Sequence, residues 1–133
     1  MTEADRLQAE IDKTVREMER SYDEASRKIK KLKDMLNALE QTLSQSNTSK
    51  TVNRMEALDS ALESLSKLSD SLIMSSKEAW RTQDELERKC KASGFELTRL
   101  DEVRVLCVKT EGMAADLLCY SLGHLKRGAN PHE

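Results

Sequence analysis

The stretch IDKTVREMERSYDEASRKIKKLKDMLNALEQTL, residues 11–43, decides the fold. Within it Ile11, Val15, Met18, Tyr22, Ala25, Ile29, Leu32, Leu36, Leu39 and Leu43 recur at alternating steps of four and three. Side chains at that spacing stand on one face of an α-helix, so the pattern predicts a single amphipathic helix from about residue 4 to 44. Acid-before-base pairs four residues apart, Asp12/Arg16, Asp23/Arg27 and Glu24/Lys28, support the same helix from its solvent side.

C-terminal to this seam, residues 44–50 are polar, lack periodicity and are rich in side chains that compete for backbone hydrogen bonds, which predicts a turn. A second seam follows through Met55, Leu58, Leu62, Leu65, Ser69, Leu72, Ser76, Ala79, Gln83, Leu86 and Cys90, flanked by Ala61, Leu68, Ile73 and Trp80. It predicts a helix over 51–92, with a stripe wider than one neighbouring helix requires, so a third element has to cover the excess. The leucine string Leu58, Leu62, Leu65, Leu68 and Leu72 has the spacing of a docking peptide, but it coincides with the seam and reads as core. Near 93–96, Gly94 fits a left-handed cap ending the second helix, and Ser93 with Glu96 fits a capping box opening the next. The third segment, 96–127, is the most apolar part of the chain and is expected at the centre of the core. Between Val103 and Leu125 it carries only Arg104, Lys109, Glu111 and Asp116 as charges. The β-branched run 103–108 also suits a strand, although nothing else in the chain offers a strand to pair with. Gly128, Ala129, Asn130 and Pro131 are expected to stop the helix and leave 128–133 as a frayed tail.

The first two helices, joined by a short loop, are antiparallel neighbours of ~60 Å each. The expected fold is therefore all-α, an elongated antiparallel three-helix bundle, or coiled-coil hairpin plus third helix, forming one domain over 1–133. Folding back about the loop sets Trp80 near Val15 and Ile73 near Tyr22, with Ser69, Ser76 and Ala79 offering space to Tyr22 and Met18. This layout is similar to that of spectrin-type repeats, the N-terminal three-helix domains of syntaxin-type membrane-fusion proteins, and helical subunits of tethering or kinetochore assemblies. The likeness is one of layout and assigns no residue a role; spectrin-type repeats typically carry tryptophan in their first and third helices, whereas Trp80 lies in the second.

Composition narrows the function classes. Twenty-two Lys and Arg nearly balance twenty-four Asp and Glu, so net charge gives no general attraction to nucleic acid or anionic membrane. No apolar run approaches the ~18 residues of a membrane span, and the charged N-terminus lacks a leader-like apolar stretch. Cys90, Cys107 and Cys119 are odd in number, lie in apolar helical settings and are expected to act as small hydrophobes in a reducing compartment, cytoplasm or nucleus. His124 and His132 have no metal-ligand spacing to other side chains, and the four glycines form no phosphate-binding loop. The reading is of a protein without catalytic residues, cofactor, metal or small-molecule substrate.

Two surfaces remain as candidates. Arg27, Lys28, Lys30, Lys31 and Lys33 encircle the first helix as a basic collar. It reads as a solvated face, or as a dock for phosphates, acidic lipid or nucleic acid, although no aromatic residues are interleaved to stack on bases. On the third helix Gly112, Ala115, Cys119 and Gly123 form a smooth stripe beside Leu118, Leu122 and Leu125. Interior glycines disfavour a helix, so the stripe suggests close approach, either within the bundle or by a protein partner or second copy. The expected function is a non-enzymatic interaction module, a scaffold or adaptor subunit of a larger assembly of membrane-trafficking, tethering or cytoskeletal/kinetochore type. Its expected partner interface is Gly112, Ala115, Leu118, Cys119, Leu122 and Leu125. The alternative is an anionic-membrane or nucleic-acid binder that uses the collar.

Overall fold

The structure is a computed structural model that describes residues 2–45, 50–94 and 97–129, with side chains within 2–41, 55–94 and 97–123. Three helices follow in order, α1 (Glu3–Gln45), α2 (Lys50–Ser93) and α3 (Leu100–Ala129), and no strand occurs among the described residues. At ~1.5 Å per residue, α1 and α2 are each about 65 Å long. They are antiparallel, as the ion pair between Glu10 near the start of α1 and Lys89 near the end of α2 records, at 3.1 Å. α3 runs alongside α1 in the same direction. Asp12 meets Arg99, Tyr22 meets Lys109 and Lys33 meets Tyr120, each pair 87 positions apart, so the two helices stay in step over about six turns.

The first seam packs as its spacing dictates. Leu7, Ile11, Val15, Ile29 and Leu36 are buried, and Met18, Tyr22, Ala25, Leu32 and Leu39 are half-buried; Leu43 lies outside the described side chains. Two apolar clusters result. Towards the open end, Leu7, Ile11 and Val15 meet Leu86, Cys90, Val103, Leu106 and Cys107, with Trp80 packed against them. Towards the end of α1 and the start of α2, Ile29 and Leu36 meet Ala61, Leu65, Leu72, Ala114 and Leu117. The leucine string falls in this second cluster or against it and is core. Met18 and Ala79 share one groove, large against small. Met55 is the exception on the second seam, 55% exposed, because that seam engages its neighbours only from Leu58 onward.

Termini and connections carry their own signatures. Thr2 Oγ1 accepts the Asp5 N–H, and Asp5 Oδ2 accepts the Thr2 N–H, each at 3.2 Å, a reciprocal cap on α1. Gly94, with φ +69°, donates its N–H to the Cys90 carbonyl at 3.0 Å, so the left-handed cap ends α2; Glu96 of the rival capping box lies outside the described residues. α3 then begins at Leu100, four residues later than its periodicity suggests. The delay has a physical cause. Gln8 grips the backbone of Thr98 from both sides, accepting its N–H and donating to its carbonyl at 2.9 Å each. Arg99 takes φ +72°, out of line with a helix. Residues 103–108 are helical, since Val103, Leu106 and Cys107 turn to the bundle together at helical spacing. The helix also passes through Gly128 to Ala129, two residues beyond the expected stop; 130–133 lie outside the described residues.

α3 gives one face to the core and leaves the opposite one uncovered: among the described residues Val103, Leu106, Cys107, Ala114, Leu117 and Ser121 are buried, while Val105, Val108, Leu118 and Leu122 are exposed. A helix with two neighbours in a three-helix bundle covers one side of itself, whatever its hydrophobicity.

Candidate functional site

The outer face of α3 is built by the same 3.6-residue period that builds its core face. Val103, Thr110 and Leu117 point into the bundle or to its margin, so residues half a turn away point to solvent. Those residues are Val105, Val108, Gly112, Ala115, Cys119 and Leu122, again at alternating steps of three and four. All are exposed, Val105 by 53%, Val108 by 56% and Leu122 by 56%, and none carries a charge. Leu118, 39% exposed, stands at one shoulder. Of the expected interface, Gly112, Ala115, Leu118, Cys119 and Leu122 share this side; the side chain of Leu125 lies outside the described residues, as does that of His124.

A methyl group added at Gly112 or at Gly123 would meet nothing within 4 Å among the described residues. Close packing inside the bundle therefore does not explain Gly112, which lies amid described residues. Val105 and Val108 extend the surface two turns towards the N-terminus, and sequence reasoning missed them because the β-branched run drew attention to strand against helix. The signal was present in the spacing, which continues unbroken from Leu122 back to Val105.

The basic collar is less uniform than its sequence. Arg27, Lys28, Lys30 and Lys31 are exposed, whereas Lys33 is half-buried with Nζ 4.8 Å from the centre of the Tyr120 ring, so it serves the α1–α3 contact. Arg27 Nε donates to the Asp23 carbonyl at 3.3 Å. Lys28 and Lys31 line an apolar groove with Leu32 and Leu68, which Lys67 of α2 joins from the other side. Lys67 is itself paired with Glu63 at 3.3 Å.

Two thiols are unsuited to nucleophilic chemistry. Burial pushes Cys107 up from 9.0 to about 11, with the carboxylates of Asp84 and Glu111 adding to the rise, and burial likewise raises Cys90 beside Glu10 and Glu87. Both are protonated at neutral pH. Cys119 departs from the expectation of a small buried hydrophobe, because it sits on the outer stripe and is exposed. Among the described residues no group of three or more His, Cys, Asp or Glu side chains is placed to hold a metal ion, and no helix is long and apolar enough to cross a membrane. The grooves between helices are open and lined mainly by Ser, Thr, alkyl and salt-bridging side chains. Compared with known proteins, the chain matches no family model, no curated protein and no solved structure.

Proposed function

We propose that this chain is a non-enzymatic helical interaction module, a scaffold or adaptor subunit of an intracellular assembly, that engages a protein through the outer face of α3. The observation that carries the reading is the uncharged stripe from Val105 to Leu122, with three large aliphatic side chains more than half exposed. Contiguous apolar surface of that kind on a water-facing helix marks a contact region. The collar supports a second reading, a dock for anionic lipid or nucleic acid, because Lys28, Lys31 and Lys67 surround one apolar groove.

The two readings separate by affinity capture from the source cells with wild type, Leu122→Lys and the double variant Lys30→Glu/Lys31→Glu, beside sedimentation with anionic vesicles and oligonucleotides. We expect Leu122→Lys to keep its helical circular dichroism and melting transition while losing its partner, and the collar variant to keep it. Loss of binding in the collar variant alone, with steep weakening by salt, overturns the reading in favour of the anionic dock.

A further inference from the structure

We infer that the occupant of the α3 outer face is a second copy of the chain, packed α3 against α3 in antiparallel orientation about a two-fold axis that passes between Gly112 and Ala115. This rests on the reading of α3 as the contact surface and adds the identity and orientation of what covers it.

The flanking charges fix the orientation. Beside the stripe, Lys109 and Asp116 stand on the α1 side, and Arg104 and Glu111 stand on the α2 side, where Glu111 also accepts the Trp80 N–H at 2.8 Å. In a parallel pairing of two such helices, the flank of one copy meets the opposite flank of the other five residues on. That sets Arg104 against the partner's Lys109 and Glu111 against the partner's Asp116, like charge on like charge at every charged contact. In the antiparallel pairing each flank meets itself. Lys109 then lies beside the partner's Asp116, twice by symmetry, Glu111 lies beside the partner's Leu118, and no like charges meet. One orientation is complementary and the other is repelled.

The same register orders the apolar residues by size. Gly112 faces the partner's Ala115 at the axis, where the backbones come closest. Val108 faces the partner's Cys119 and Val105 faces the partner's Leu122 towards both ends, so the large side chains close over the small centre. The match is self-complementary, as a two-fold interface requires. It also uses the outer glycine that nothing within the bundle explains.

Thiol chemistry reads the orientation directly. In the antiparallel register the two Cys119 residues are offset by about 16 Å along the axis, beyond disulfide reach, whereas a parallel pairing would place them face to face. The test is sedimentation of the purified full chain from low to high micromolar concentration, with mild oxidation of wild type and Val108→Cys. We expect a reversible dimer, weakened by about tenfold or more in Leu122→Lys, where an ammonium would enter the interface. Oxidised Val108→Cys should yield a covalent dimer through the partner's Cys119, and wild type should not. Lys109→Asp and Asp116→Lys should each weaken the dimer, and combining them should restore it. A wild-type chain that stays monomeric throughout overturns the second-copy inference alone, provided Leu122→Lys still abolishes capture of a cellular partner. A Cys119-linked wild-type dimer overturns the antiparallel orientation. A dimer indifferent to Leu122→Lys overturns both the inference and the assignment of the α3 face.

Discussion

At the scale of single residues, Ser69 sets a polar atom in the core that works against it. Ser69 is 2% exposed, and its Oγ has no hydrogen-bond partner among the described residues. A buried, unsatisfied hydroxyl costs about 1–3 kcal/mol, so Ser69→Ala should raise stability in urea denaturation by about 1 kcal/mol. Leu36 is the opposite case, with no exposed surface. A carboxylate there costs several kcal/mol against a total of roughly 5–15, so Leu36→Asp should lose its cooperative melting transition, while Lys30→Glu on the solvent face should melt close to wild type. The thiols give a third check. Alkylation of the dilute, monomeric chain at mildly alkaline pH should modify Cys119 quickly and Cys90 and Cys107 slowly. Because the folded-state value of Cys107 is raised from 9.0 to about 11, its contribution is complete below pH 9 and is lost as pH rises to 11. The stability gap between wild type and Cys107→Ala should therefore narrow across that interval.

At the scale of elements, the α2–α3 connection is where local preference and tertiary contact oppose each other. Arg99 holds φ +72°, which a residue with a Cβ adopts at a cost of about 1 kcal/mol or more. Against this, its guanidinium reaches Glu102 at 2.8 Å and Asp12 at 3.5 Å, and Gln8 ties down the neighbouring Thr98 backbone. The pairs are partly exposed and screened by solvent, so each contributes only modestly. Arg99→Ala, which loses the pairs and keeps the strain, should melt at a lower temperature than wild type. Arg99→Gly, which loses both, should melt near wild type. If the alanine and glycine variants melt together, the positive φ is not strained.

At the scale of the whole molecule, the hairpin and the parallel run of α3 along α1 make a rod whose three helices each bury one stripe. The Glu10–Lys89 contact at 3.1 Å joins opposite ends of the sequence of the hairpin. A zero-length carbodiimide reagent should therefore join Glu10 to Lys89 within one chain, as peptide mapping of the monomer band would reveal. Finding that link only between chains would mean that α1 and α2 pair across two molecules. In either case the basic collar of α1 and the apolar outer face of α3 are left uncovered by the chain's own helices.

Much of this architecture is legible from spacing alone, because a helix converts sequence period into a face without reference to the rest of the chain. The alternation from Ile11 to Leu43, the seam from Leu58 to Cys90 and the polar break between them determine two long antiparallel helices, and Gly94 marks their boundary with the third. Tertiary structure decides what spacing leaves open. The late start of α3 depends on Gln8, ninety positions away from Thr98. The turn of Lys33 away from the collar depends on the Tyr120 ring. Which of two apolar faces of α3 is core was open for the same reason: Val103–Leu117 and Val105–Leu122 have nearly equal claims by composition, and only the positions of α1 and α2 settle which one is shielded from water. Sequence determines that a face exists; the neighbouring helices determine whether it is interior or surface, since burial is a relation between elements and not a property of one.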